Sequence, residues 1–371
     1  MSGSSNVSVW RRVWYATITA MIIQNVWIAG GYATGREVVE FMAKYGVLAP
    51  IAIIVSAITL IIAVYLTLEV ARVFKAFDYM TWSKQFLGRF WVAFDAMFIV
   101  MSWIVLAVVI AASNYMISDL TGLPPYIATI VITIVIALLH FFGRKAIEAS
   151  WVVGSIGLIS AYIIAWSYIL SAKLGESLAK ISAGLSMGSA TLAAIDGFRY
   201  MLYNLYSLPP TLQSADRYRG RLESLVASIM SAVLVYGTVA VIWLCLMAYY
   251  PDVIYMTAPV YDILKSLGAY WVLGYFVFWV FYTLMATALG MIYAIILRVE
   301  AQLKQMGRRF TRVHEAILAA VILAIAALTS QAGLATLIAQ GYGTMAWVFF
   351  AVYFIPLATV GVYRLSKAGK K

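Results

Sequence analysis

From residue 49 to residue 68 the chain runs without a single charged side chain, and residues 92–112 form a second long stretch broken only by Asp95. An α-helix needs about 20 apolar residues to cross the hydrocarbon core of a bilayer. Neither stretch alternates apolar and polar residues as a barrel strand would. Composition points the same way: the chain is 64% hydrophobic and 11% charged, with 12 Trp and 25 Tyr. So few charges cannot cover the surface of a water-soluble domain, whereas lipid solvates such a surface directly. The sequence predicts an all-α polytopic membrane protein, with the lipid bilayer as its surroundings.

Hydropathy predicts ten spans, at residues 9–44, 47–73, 90–118, 124–142, 147–173, 187–212, 222–249, 270–297, 316–330 and 344–363. If the N-terminus is cytoplasmic, the inner segments hold 20 of the 26 Lys and Arg, and the outer segments hold only Arg36, Lys44, Lys173, Lys180 and Lys265. Arg199 falls within a span. This asymmetry follows the positive-inside rule and predicts both termini on the cytoplasmic side of a plasma membrane. The formal charge of +11 therefore reports topology, and nucleic acid is not expected as a partner. No cleaved signal peptide is expected. The single Cys245 excludes a disulfide framework. No tract between spans is long enough for a further domain, so residues 1–371 are read as one transmembrane unit.

Two spans carry breaks. Residues 28–37, "IAGGYATGRE", place Gly30, Gly31 and Gly35 around Thr34 and then two opposite charges, Arg36 and Glu37. Span 6, "DGFRYMLYNLYSLPPTL", combines Pro209 and Pro210 with Asn204 among Tyr200, Tyr203 and Tyr206. Freed backbone groups in hydrocarbon cost several kcal/mol unless protein or a polar cavity satisfies them. Interrupted helices at positions 1 and 6 of ten are the pattern of two five-helix repeats in inverted orientation, here about residues 9–173 and 187–365. Paired breaks of this kind mark a midplane solute site in secondary transporters.

The stretch "IAGGYATGREVVEFMAKYG" resembles the first-helix signature of the YkvI-like membrane proteins, roughly GAGFASGQE, within the amino acid–polyamine–organocation superfamily. "YMLYN" at residues 200–204 is similar to that family's sixth-helix Tyr-Asn motif, and "TLMATALGMIYA" at 283–294 to its eighth helix. Ala29 stands in place of the signature's first glycine, and Arg36 in place of its glutamine. The resemblance implies a LeuT-type fold of 5+5 inverted repeats with broken helices 1 and 6. It also implies a cation site built from helix 1 carbonyls near Ala29 and Gly30 and from helix 8 hydroxyls, here Thr283 and Thr287. Some relatives replace that ion with a lysine from helix 5. Span 5 carries none in its middle, which favours Na⁺ over that form of proton coupling.

At the first break, a half-helix starting near Thr34 would offer free N–H groups to a carboxylate, and one ending near Ala29 would offer carbonyls to a cation or amine. A small amino acid or related amine satisfies both. The candidate solute-binding residues are Ala29, Gly30, Gly31, Thr34 and Gly35, faced by Tyr203, Asn204 and Tyr206, with Trp103 from span 3. Thr283 and Thr287, at i and i+4, share a helix face and are candidate Na⁺ ligands, although membrane threonines commonly bond their own helix instead. Glu37 is the coupling residue if the ion is a proton. Arg36, Glu37, Asp196 and Arg199 are candidate gate residues, as Arg36–Asp196 or Glu37–Arg199 pairs, against the simpler reading of a static tie between helices 1 and 6. Asp95 is expected to meet a neighbouring base. Trp10, Arg11 and Arg12 are read as interfacial anchors rather than as a latch on Glu300. The expected function is secondary active transport, with no cofactor beyond a coupling Na⁺. A passive facilitator and a solute sensor are the alternatives. No metal-spaced His pair and no phosphate-binding loop supports an enzyme or a nucleotide-driven pump.

Overall fold

The computed structural model describes residues 8–27, 30–140 and 144–368. Among them, seven helices are long and apolar enough to cross a membrane, and α6 (Pro125–His140) is a shorter apolar one. All ten expected spans appear as helical elements. The first is α1 (Val9–Trp27), a 3₁₀ turn at Gly30–Thr34 and the short α2 (Arg36–Phe41). Then follow α3 (Ala49–Phe74), a connecting α4 (Tyr79–Leu87), α5 (Trp91–Thr121), α6 and α7 (Arg144–Ser182). The sixth span is α8 (Ala190–Asn204) with 3₁₀ turns continuing to Arg217. The remainder are α9 (Arg221–Met247), a connecting α10 (Pro259–Ser266), α11 (Tyr270–Gln305), α12 (Arg312–Ser330) and α13 (Leu334–Ala368).

Both expected breaks are present, one of them displaced. Helix 1 is interrupted where the glycines predict it. Gly35 has φ +82°, and a Cβ there would stand 2.9 Å from Val260 Cγ2, so glycine is required on both counts. In span 6 the α-helical pattern ends at Asn204, five residues ahead of Pro209. Asn204 Nδ2 donates to Tyr200 O (2.9 Å), and the chain then tightens into 3₁₀ turns. The prolines prevent the α-helix from resuming. Span 5 outruns its predicted end at Lys173. α7 continues to Ser182, where Lys180 Nζ donates to the carbonyls of Ala248 and Tyr250 (2.7 Å each), so the segment expected to be a loop is helix.

Packing divides the helices into two groups. α1 lies along α9, and α3 lies along both α8 and α9. α5, α6, α7, α11 and α12 pack among themselves, while α7 also lies along α9 and α13 lies against α8, both of them contacts between the groups. Helix 1 of the first half thus rests on helix 7 of the second, as helix 6 of the second rests on helix 2 of the first. That exchange is what a two-fold relation between inverted halves produces. Small residues set the closest contacts. A Cβ on Gly197 would fall 2.2 Å from Ala52 O, so α8 and α3 touch backbone to backbone. A Cβ on Gly157 would fall 2.0 Å from the Trp279 ring, so α7 carries a notch for α11.

Candidate substrate and ion site

The two breaks meet at Glu37. Its carboxylate is buried and accepts a 2.6 Å hydrogen bond from the Tyr203 hydroxyl, which joins α2 of the first half to α8 of the second. The phenols of Tyr32, Tyr162, Tyr200, Tyr206 and Tyr342 lie close enough to interact with its charge. Around it the rings pack on one another. Tyr203 stacks on Tyr342 (4.6 Å between centroids, 25°), and Phe41 contacts both Tyr200 and Tyr203 at 5.8 and 5.4 Å. Tyr342 closes the first of three π-helical turns in α13, which bring it over the break. Such turns are frequent at functional positions.

The turn is bonded both within itself and by neighbouring helices. Tyr32 O accepts from Gly35 N–H (2.9 Å) and from the Tyr162 hydroxyl of α7 (3.0 Å), while Tyr32 OH pairs with Thr238 Oγ1 (2.7 Å). Thr34 Oγ1 accepts from Arg36 N–H (3.2 Å). The expected carboxylate site at the start of the second half-helix is therefore not realised as predicted. α2 is six residues long, one of its first N–H groups bonds Thr34, and Glu37 places a negative charge in its own first turn. Gly30, Gly31, Thr34 and Gly35 all lie in or directly after this turn. Ala29 lies outside the described residues.

Tyr203 and Tyr206, on the span 6 side of the break, are both buried. Asn204 faces its own helix through the bond to Tyr200 O, so its amide N–H caps the end of α8. Trp103 sits on α5, which packs against the turn. Its indole N–H and the neighbouring Ser102 hydroxyl are buried without hydrogen-bond partners among the described residues. α11 also packs against the turn, as the helix 8 assignment requires. Thr283 and Thr287 each donate to the carbonyl four residues back, Trp279 O and Thr283 O, at 2.9 Å. Their protons are thus engaged with their own helix. The lone pairs left are of the polarity a Na⁺ requires.

The gate pairs differ from expectation. Arg36 donates to Ile254 O (2.7 Å) and Met256 O (2.9 Å) and pairs with Glu40 (2.9 Å). Asp196 is shared by Lys44 (2.7 Å), Arg199 (2.6 Å) and the Tyr45 hydroxyl (2.7 Å). Arg36–Asp196 and Glu37–Arg199 are replaced by a chain from Arg36 through Glu40, Lys44 and Asp196 to Arg199. It ties helix 1 to helix 6 within one packing group. Arg199 alone reaches toward α13: its guanidinium lies so close to Gly343 that a Cβ there would be 2.3 Å from Nη2. Sequence reasoning passed over Glu40 and Lys44, although Arg36, Glu40 and Lys44 follow i, i+4, i+8 along one helical face. Tyr32, Tyr162 and Tyr342 carried no local signal at all.

At the opposite end of the bundle, Arg12 forms a bidentate pair with Glu223 (2.7 and 2.8 Å), and Glu300 pairs with Lys304 instead of the N-terminal segment. Trp10 is exposed, as an interfacial anchor should be. Glu69 is buried and accepts from Arg72 (2.9 and 2.7 Å) and Ser224 (2.8 Å). Asp95 meets Arg298 at 2.8 Å, the neighbouring base expected of it.

No family model matches the chain, and no curated protein matches it. Solved structures do. A Na⁺-coupled sialic acid symporter in a substrate-bound outward-open state is similar with a TM-score of 0.55 and 12% identity, covering 93% of this chain and 86% of that one. A mutant of the Eremococcus coleocola manganese transporter is similar with a TM-score of 0.52 and 12% identity, covering 99% and 89%. The chain has a transporter fold. With its broken first and sixth helices and exchanged half-to-half packing, it is the LeuT-type ten-helix architecture of a multi-pass membrane protein.

Proposed function

We propose that this protein is a secondary active transporter that moves a small amino acid or related amine by alternating access, coupled to Na⁺. The observation that carries the reading is the meeting of two interrupted helices, one from each half, at the buried Glu37–Tyr203 contact. A fold serving only structural ends has no reason to bury a carboxylate among phenols at the one place where both helices lose their regular bonding. Both neighbouring structures carry transporters, one of them Na⁺-coupled.

In this reading α1, α2, α3, α8 and α9 move as one body against the remaining helices, with the Lys44–Asp196–Arg199 tie travelling inside it. The closure that must open crosses between bodies, at the Tyr203–Tyr342 stack and at Arg199 over Gly343. Coupling needs only that ion and solute bind one state better than the other. The repeats at about 9–173 and 187–365, membership of the YkvI-like family and a plasma-membrane location with cytoplasmic termini belong to the same proposal. They rest on the three sequence stretches and on the charge asymmetry.

Uptake into proteoliposomes under a Na⁺ gradient, with K⁺ as control, tests the coupling. Thr287→Val should remove the Na⁺ dependence and leave folding intact. Uptake that ignores Na⁺ but follows a pH gradient would favour coupling through Glu37. That second reading is supported by the burial of Glu37 and by the back-bonded threonine hydroxyls. Equilibration with neither gradient would point to a facilitator.

A further inference from the structure

We infer that the inner end of the bundle holds one anionic phospholipid, with its phosphate at Arg221 and an acyl chain in the groove between α3, α9 and α13. The site stands apart from the broken helices and from any solute they bind. Where the three helices meet, a recess of about 560 Å³ is lined by Glu69 and Arg72 of α3, Arg221 of α9, and Leu365 and Ser366 of α13. Beside it, toward the middle of the helices, a second recess of about 410 Å³ is lined by Ile61, Ile62, Leu225 and Ala358. Tyr65, Leu66 and Val362 line both recesses, so the two form one continuous groove, charged at one end and apolar at the other.

Depth and charge decide the occupant. From Arg72 back to Ile62 the chain is α-helix, and ten residues rise about 15 Å. That is half of a hydrocarbon core about 30 Å thick. The groove therefore runs the depth of one leaflet, the reach of one acyl chain. At its charged end two arginines stand beside one carboxylate. Arg72 Nε and Nη2 donate to Glu69 at 2.9 and 2.7 Å, and Ser224 Oγ adds a third bond at 2.8 Å. Glu69 is buried, so its charge is matched within the fold. Arg221 is the surplus cation. Its Nε lies 3.9 Å from Glu69 Oε2, too far for a hydrogen bond, and its side chain is 72% exposed. A guanidinium so placed presents its fork of N–H donors to a phosphate. α13 carries Arg364 and Lys367 on either side of Leu365 and Ser366, the first turned to Gln85 and the second to the ring of Tyr363. The charge asymmetry of the chain assigns this end to the cytoplasmic leaflet, where anionic headgroups gather and basic pockets between helices bind them. A zwitterionic headgroup brings its own cation to the same arginine and so gains less. A lipid seated here touches α3 and α9 on one side and α13 on the other.

The test is native mass spectrometry of the detergent-purified full chain, titrated with an equal mixture of dioleoylphosphatidylglycerol and dioleoylphosphatidylcholine. The expected result is one retained phosphatidylglycerol, preferred about fivefold or more, the effect of one basic side chain near an anionic surface. Arg221→Ala should abolish that preference. Arg308→Ala, which removes an exposed charge from the loop after α11, should leave it unchanged. Ala358→Phe fills the apolar end and should weaken both lipids. Equal retention of the two lipids by the parent protein overturns the anionic headgroup, and that comparison needs no variant. A loss in Arg221→Ala no larger than in Arg308→Ala overturns the site. Unchanged lipid affinity in Ala358→Phe overturns the chain groove. Displacement of the lipid by glycerol 1-phosphate at comparable concentration makes a soluble anion the occupant and overturns the lipid assignment. None of these outcomes bears on solute uptake, so the transporter reading is judged separately.

Discussion

The Asp95–Arg298 pair offers a sharp energetic test of how the second packing group is held. Arg298 Nε donates to Asp95 Oδ1 at 2.8 Å, and Gln302 Nε2 donates to Oδ2 at 3.2 Å. The two charged side chains are 8% and 3% exposed, so neither is solvated by water. The guanidinium also lies 3.6 Å from the centroid of Phe98 and 4.2 Å from that of Tyr79. Removing one partner of a buried pair costs about 3–5 kcal/mol, because the other charge stays buried. In Asp95→Leu the two rings still face the cation, as they do in the parent, so they do not offset that cost. The expected loss is therefore about 3–5 kcal/mol. Arg298→Met should cost at least as much, since it strands Asp95 and removes both ring contacts. The double variant, Asp95→Leu with Arg298→Met, should return to within about 1–2 kcal/mol of the parent, because replacing a buried pair by apolar groups is close to neutral. Equilibrium unfolding in mixed micelles measures all four proteins and gives the coupling directly. Single variants within about 0.5 kcal/mol of the parent, or a double variant as unstable as the sum of the singles, would refute the claim that this pair is a desolvated tie between α5 and α11.

Gly197→Ala should lower thermal stability by about 1–3 kcal/mol, because the new methyl meets Ala52 O at 2.2 Å and α3 and α8 must part. Gly237→Ala in α9 is its control: the site is open, so that variant should be neutral or slightly stabilising. Tyr162→Phe removes the α7 hydroxyl from Tyr32 O and should speed amide exchange across residues 30–41 by about fivefold, equivalent to about 1 kcal/mol, with the global midpoint little changed. Unchanged exchange would mean that α7 does not steady the break. Asp262, in the connecting α10, is held above the usual carboxylate range by burial, against an opposing bond from Tyr115. A carboxyl raised in the folded state contributes stability that is complete below its unfolded pKa and is lost as pH rises through the folded one. Asp262→Asn should thus flatten the fall in thermal midpoint above about pH 4, and an identical pH profile would count against this environment.

Ten spans, their order and the two broken helices were legible from the chain alone. Each depends on local quantities: the length of an apolar run, the loss of a donor at proline, the left-handed backbone that Gly35 permits. The bilayer makes that reading unusually strong, since a backbone group in hydrocarbon has few ways to be satisfied except within its own helix. Glu37, Tyr203 and Tyr206 were legible as residues of the breaks for the same reason, because a charge or phenol beside a break stands out in an apolar stretch. Which groups meet was not legible. Arg36 turned to loop carbonyls and Glu40, Asp196 gathered Lys44, Arg199 and Tyr45, and Asn204 and both threonines bonded their own helices. Tyr162 and Tyr342 reach the break from helices 5 and 10, far away in sequence. Partner choice depends on distances between helices, set by close contacts such as Gly197 on Ala52 and Trp279 in the notch at Gly157. The sequence by itself determined that the chain crosses a membrane many times and opens twice; only the tertiary packing decided that the two openings close around one carboxylate.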